Sequence, residues 1–362
     1  MGREWFAPKA RLIQAFETLR HLVRETDVDW FDVDVEIRQI PTLNPSLSRY
    51  SEKFIPDAEV TIATAWETAY LVIALDDSKG AKSYFIQHYE IWDTWNNDEA
   101  WTRVAQRTDD TASYPKEMYE IVPPDRRARR QKKLVDNSYK LPISKITISS
   151  WLANLLETKF DQNVAGIVTN SVNQSIFYPE PTIESETVSL LLPYRNSPWK
   201  GKREAKRLIN EIENSYNVQI NTYGSRAGAK NLPDTVTHHS KITDEALRHL
   251  YSNSDIFILP AWVEGFGLPP LEAMACKCAV VTTNVGAVPD YAEDGVTASV
   301  VPPRDSSALI EAVSELIEDD KKRHQLQQQG YEHIKGYTWD DAAECLEQVL
   351  YKVCSGGRGI HE

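Results

Sequence analysis

The sequence predicts an α/β protein of two domains, each a parallel sheet covered by helices. Two observations carry this. The chain has 362 residues, and single cores stop growing at roughly 250 to 300. The stretch from Asp255 to Gly295 alternates strand, loop and helix twice. Its first strand is Ile256-Phe257-Ile258-Leu259, followed by a Pro/Gly-rich loop and an apolar helix ending near Cys276. Its second is Ala279-Val280-Val281-Thr282, then another glycine-containing loop and a short helix. Both loops follow the carboxyl ends of strands, where open parallel sheets bind their ligands.

Two carboxylates mark the first loop. Glu264 stands at its mouth and Glu272, eight residues on, lies in the following helix. Between them, Gly265-Phe266-Gly267-Leu268-Pro269-Pro270 lets backbone approach a ligand at the glycines and starts a helix at the prolines. Free N–H groups near Gly267 and Leu268 are expected to face outward as an anion seat. One carboxylate suits ribose hydroxyls and the other the reacting sugar.

The segment EGFGLPPLEAMACKCAVVTTNVGAVPDYAEDG resembles the carboxyl-terminal signature of the family-four retaining glycosyltransferases of the GT-B fold. It has both the E-x7-E element and the Gly-x-x-Pro-acid turn downstream. The resemblance implies two Rossmann-like domains facing across a cleft, a nucleotide diphosphate sugar as donor, and retention of anomeric configuration. It is strong from about Lys145 to Val353 and weak before that.

Composition limits the alternatives. A net charge of −13 argues against general nucleic-acid binding. No run of about 18 apolar residues is available to span a bilayer, and the start, MGREWFAPKARLIQ, lacks the apolar core of a signal peptide. The expected location is the cytoplasm. Cys276, Cys278, Cys345 and Cys354 show no C-x-x-C or histidine-bearing metal pattern and read as core thiols.

In the amino-terminal half, residues 8–26 have helical apolar spacing through Leu12, Phe16, Leu19 and Leu22, and residues 31–37 alternate as a strand. A GT-B domain ordinarily opens with a strand and a glycine-rich loop before such a helix; neither is visible here, so the expectation is either that the first strand is missing or that the domain does without it. DAEVTIA at 57–63 is a strand, with Thr64 as cap of the next helix. The strand KSYFIQ at 82–87 ends at His88, where the resemblance puts an active-site histidine or its neighbour; His88 is the expected amino-domain catalytic residue, with a cleft-lining or capping histidine as the other reading. Trp92, Trp95 and Trp101 suit sugar faces, lipid-facing loops or a lid packed on its own domain. The basic run Arg126 to Lys133 is either a seat on an anionic membrane surface or a solvated helix face.

KITIS at 145–149 followed by Ser150 resembles the family's strand-Ser-helix element. Farther on, the family's Asn-Gly-Val-Asp is replaced by Asn170-Ser171-Val172-Asn173, so the turn needs another way to reach its backbone angles. Residues 179–186 read as the interdomain linker. The second domain opens with the buried strand 188–192, and Arg195 and Lys200 follow it. Two cations there are what a departing diphosphate needs. Gly224 ends the next strand, where a nucleotide base lies against backbone; His238 and His239 read as structural.

The domains are therefore expected at 1–178 and 187–336, with 337–362 a helix crossing back to the first. The expected function is transfer of a sugar from a nucleotide diphosphate sugar to a glycan, a lipid-linked or another hydroxyl acceptor. Glu264 and His88 are the catalytic pair. Arg195, Lys200, Glu272, Gly265, Phe266, Gly267, Leu268 and Gly224 hold the donor. No metal or other cofactor is expected. A non-catalytic nucleotide-sugar or partner-binding subunit and a nucleotide-sugar epimerase are the alternatives; only transfer needs an acceptor.

Overall fold

The computed structural model describes residues 38, 40–91, 126–181, 185–195, 197–225 and 232–356. The helix expected at 8–26, the strand at 31–37 and Trp92, Trp95 and Trp101 lie outside these residues.

Apolar strand runs separated by amphipathic helices condense into two parallel sheets. In the first, β1 (Val60–Ala63), β2 (Ala81–Ile86), β3 (Ser144–Thr147) and β4 (Gly166–Ile167) lie in that order. Helices α1 (Trp66–Val72), α2 (Arg126–Ser138) and α3 (Ser150–Phe160) connect and cover them. Thr64 is not the cap of α1. The Oγ1 of Thr68 reaches back instead, accepting from the N–H of Ala65 at 3.0 Å and of Thr64 at 3.2 Å. Ser149 caps α3, its Oγ accepting from the N–H of Leu152 at 3.3 Å.

The second sheet has six parallel strands in the order β10-β9-β8-β5-β6-β7. They are β5 (Ser189–Pro193), β6 (Gln219–Tyr223), β7 (Thr237–His239), β8 (Ile256–Leu259), β9 (Ala279–Thr283) and β10 (Ser299–Val301). All residues of β5, β8 and β9 are buried, as central strands covered on both faces must be. The connecting helices are α4 (Lys202–Ser215), α5 (Asp244–Ser252), α6 (Leu268–Ala275), α7 (Val288–Tyr291), α8 (Ser306–Glu318) and α9 (Asp320–Ile334). The chain runs outward one way from β5 through β6 to β7, then returns to lay β8 on the other side of β5. That reversal leaves a crevice outside the ends of β5 and β8.

The final helix, α10 (Trp339–Gly356), packs on the first sheet: Ala342 and Val349 are buried with Ile146 of β3 and Val168. Its approach is tied to the turn that follows β4. Ser171 needs no left-handed backbone; its Oγ donates to the carbonyl of Thr338 at 2.8 Å, while the Asn173 Oδ1 accepts from the Ser175 N–H at 3.1 Å. The segment after it is anchored. Glu180 accepts from Arg248 Nε at 2.8 Å, and His249 Nδ1 lies 2.9 Å from its other oxygen.

A bond between residues 140 apart in sequence joins the two halves near the cleft. Asp290, the acid of the Gly-x-x-Pro-acid turn, accepts from the Ser150 N–H at 2.8 Å and from the Ser150 hydroxyl, and so sits at the amino end of α3. Tyr337 holds the same residue from behind, donating to the Asp290 carbonyl at 3.0 Å. A carboxylate at a helix start satisfies orphan N–H groups and the helix dipole. Asp290→Ala is expected to lower unfolding stability by about 1 to 2 kcal/mol, measured by urea denaturation, and Ser150→Ala in that background to cost little more.

Candidate active site

The crevice between β5 and β8 is where the charged side chains converge. Pro193 and Leu259, the last residues of these strands, line one pocket together with Arg195, Lys200, Glu264 and Pro269. Lys200 ends a short 3-10 turn, Pro198–Lys200, just before α4. Its Nζ donates to both oxygens of Glu264, each at 2.8 Å. This pair is mostly shielded, with side-chain exposures of 23% and 14%, so it is screened much less than a surface pair. Arg195 is exposed at the pocket edge.

The loop after β8 carries Glu264 toward the first sheet. A Cβ on Gly265 would stand 2.6 Å from the Gln87 carbonyl oxygen and 2.9 Å from the His88 Cβ. Only a glycine permits that approach, and it sets the second domain's loop directly against the end of β2. His88 is half-buried there. Its carbonyl accepts from the Tyr139 hydroxyl at 3.3 Å, and the same hydroxyl accepts from the Glu90 N–H at 3.3 Å, which clamps the 88–90 turn. Glu90, receiving a bond from Tyr84, has its carboxyl raised above the usual range by burial.

Phe266 stacks on Tyr291 at 5.5 Å between ring centroids and is buried, so it supports the loop from beneath. Gly267 caps α6 in a left-handed conformation, with φ of +89°. No side chain caps this helix start, and its second and third residues are prolines without N–H groups, so Leu268 is the first-turn residue that retains one. The Gly267 carbonyl is held by the Tyr291 hydroxyl at 3.1 Å. Gly224 sits at the end of β6, where a Cβ would meet the Tyr194 carbonyl oxygen at 2.4 Å. His238 Nδ1 lies 2.9 Å from the Thr222 Oγ1, and His239 Nε2 lies 3.1 Å from the Asn221 Oδ1. On α2, Lys132 turns inward to Asp136 at 2.6 Å and to the Tyr89 hydroxyl at 3.2 Å, leaving Arg126, Arg129 and Lys133 on the exposed side.

Glu272, inside α6, is bound to other partners than the Lys200 pair. Below it a buried chain runs from Tyr223 to Tyr251, 3.2 Å between hydroxyls, and from the Tyr251 hydroxyl to Glu272 Oε2 at 3.0 Å. Tyr251 packs edge-on against Phe177 and Phe257 at 6.0 and 5.4 Å between centroids. These tyrosines, like Trp262 and Glu204 below, carry no local sequence signal for the site; their partners come from distant elements. Burial raises the Glu272 carboxyl to about 7, against the opposing pull of the Tyr251 hydroxyl and the Arg195 charge. The folded state therefore holds this proton more tightly than the unfolded chain, so its contribution to stability is full below pH 4.5 and lost as pH rises to about 7. Glu272→Gln is expected to gain on wild type across that window, by on the order of 3 kcal/mol at pH 8, measured by urea denaturation at each pH.

Comparison with known proteins shows what the chain is similar to. Residues 217–333 match the model of the family "Glycosyl transferases group 1". A D-inositol 3-phosphate glycosyltransferase of Paenarthrobacter aurescens (strain TC1) is 25% identical over 188 residues, 48% of this chain and 46% of that protein. The match thus spans about half the length of that relative. Sucrose-phosphate synthase from Thermosynechococcus elongatus superposes with a TM-score of 0.66 at 18% identity, over 86% of this chain and 77% of that one. Anabaena Alr3699/HepE, solved in complex with UDP and glucose, gives 0.62 at 14% identity, over 94% and 89%. The segment that matches the group 1 glycosyl transferase model, 217–333, runs from β6 through most of α9, in a chain with the two-sheet GT-B fold.

Proposed function

We propose that the chain is a retaining glycosyltransferase that moves a hexosyl or deoxyhexosyl group from a nucleotide diphosphate sugar to a hydroxyl acceptor in glycan or glycoconjugate synthesis. The observation that carries this reading is the convergence of Arg195, Lys200 and Glu264 at the β5–β8 switch point, with His88 across the Gly265 contact. Support comes from the family match and from a structural neighbour solved with UDP and glucose. Domains at 1–178 and 187–336, with 337–362 crossing back, fit the same reading.

The roles follow from charge. Breaking the glycosidic bond leaves negative charge on the diphosphate, and Arg195 and Lys200 neutralise it. Glu272 accepts from the ribose hydroxyls, and Glu264 addresses the donor sugar with His88 opposite. Gly265, Phe266, Gly267 and Leu268 bring backbone to the donor, and Gly224 lies along the base. The acceptor hydroxyl attacks from the face that the diphosphate leaves, through an oxocarbenium-like state, and the diphosphate oxygen takes its proton. With two cations supplying the neutralising charge, a divalent metal has no required part. Activity is therefore expected to survive EDTA. Placement at the cytoplasmic membrane face through Arg126, Arg129 and Lys133 belongs to the same reading, for a lipid-linked acceptor.

The test is a panel of UDP-, GDP-, dTDP- and ADP-sugars, read by thermal shift, donor hydrolysis and transfer to added glycans. One donor should stabilise the protein and be consumed, with consumption accelerated by acceptor. Binding without turnover would favour a non-catalytic subunit, and donor isomerisation without acceptor an epimerase. Because Glu264 competes with the diphosphate for Lys200, Glu264→Gln is expected to bind nucleoside diphosphate about three- to tenfold more tightly while losing at least about a hundredfold in transfer rate. Calorimetry and a product assay check both halves.

A further inference from the structure

The Lys200–Glu264 pair joins two loops that come from different strands, and the structure shows what brings them together. Glu204, in the first turn of α4, is 1% exposed. Its Oε2 accepts from the indole Nε1–H of Trp262 at 2.8 Å, and its Oε1 accepts from Arg203 Nε at 3.0 Å. The Arg203 guanidinium also lies 5.7 Å from the centre of the Trp262 ring. Trp262 is itself buried, 4% exposed, and its backbone N–H donates to the Trp199 carbonyl at 2.8 Å. Between these two bonds the backbones press together: Gly201 has φ of +76°, and a Cβ there would fall 1.7 Å from the Pro260 carbonyl oxygen. Lys200 stands four residues before Glu204, and Glu264 two residues after Trp262.

We infer that the buried Glu204–Trp262 bond is a positioning strut, which fixes the separation of the Lys200 and Glu264 side chains and so sets the geometry of the donor-sugar site. The inference rests on the proposed function for its catalytic consequence, but not for its structural one. Glu204 and Trp262 act through Lys200 and Glu264. Backbone shifts of a fraction of an ångström at either loop separate a pair that now meets at 2.8 Å on both oxygens, and small misplacements of reacting groups are costly to rate. Nucleotide affinity is less sensitive, because Arg195 stands two residues past the end of β5, five before Lys200, and Glu272 is held inside α6 by Tyr251.

Two readouts on Glu204→Ala, Glu204→Gln and Trp262→Phe test the strut. The first is reductive methylation with formaldehyde and cyanoborohydride, followed by mass spectrometry of the Lys200 peptide; it needs no donor. Lys200 should be protected in wild type and in Glu204→Gln, whose amide oxygen still accepts from the indole, and become reactive in Glu204→Ala and Trp262→Phe. The second is turnover of the donor that the panel identifies. Glu204→Ala and Trp262→Phe should each lose about tenfold or more in kcat with nucleoside diphosphate Kd changed less than about threefold. Their double variant should fall no further, and Glu204→Gln should retain most of the rate. Unchanged Lys200 labelling in Glu204→Ala overturns the strut whatever the donor result. So does a Glu204→Gln rate as low as that of Glu204→Ala. Correct labelling without turnover of any donor retains the strut and removes the proposed function instead.

Discussion

Gly265 has no side chain, and the Gln87 carbonyl stands where one would begin. That close approach brings the carboxyl ends of two separate parallel sheets to face each other, and the arrangement of the cleft depends on it. On one side are the ends of β5 and β8, with Arg195, Lys200 and Glu264. On the other is the turn after β2, with His88 held by Tyr139. The contact is reinforced by Asp290 on the start of α3, by Ser171 on the Thr338 carbonyl and by α10 packed against β3. The cleft is thus bounded by bonds between residues more than a hundred positions apart in sequence.

Within the second domain, strand order decides where charge collects. Reversal of the chain direction between β5 and β8 leaves a crevice that no connecting helix covers. Loops leaving neighbouring strands on opposite sides of the reversal place a cation and a carboxylate in bidentate contact. The pair is mutually neutralising, and in the proposed function a diphosphate takes the place of Glu264 on Lys200 rather than meeting a bare cation. On that proposal the exchange frees Glu264 for the donor sugar. Glu272 is governed differently: its surroundings are aromatic and buried, and its proton is held to near neutrality.

Much of this was legible in the residues. Ile256–Leu259 and Ala279–Thr283 are unbroken apolar runs, and they form adjacent buried strands. The glycine and prolines after Glu264 start α6 where the spacing indicates. The position of His88 past a strand end was readable too, because KSYFIQ stops at a polar residue. What was not legible is contact between elements remote in sequence. Thr64 looked like a cap because it precedes the helix, whereas Thr68 takes the bonds from inside the first turn. The replacement of a glycine by Ser171 looked like a backbone problem, yet the residue is recruited to hold the approach to α10. Residues 179–186 read as the interdomain linker, and no local pattern announced that its Glu180 pairs with Arg248 and His249 of α5. Trp262, Glu204, Tyr251 and Tyr223 belong to no local pattern, and only the folded chain puts them under the site.

The most direct measurement is a crystal structure of the chain with a bound nucleoside diphosphate, UDP or GDP. The account predicts the diphosphate between Arg195 and Lys200 outside the ends of β5 and β8, with the Lys200–Glu264 pair opened and Glu272 within hydrogen-bond reach of the ribose. A diphosphate bound elsewhere, with Lys200 still donating to both oxygens of Glu264, would contradict it.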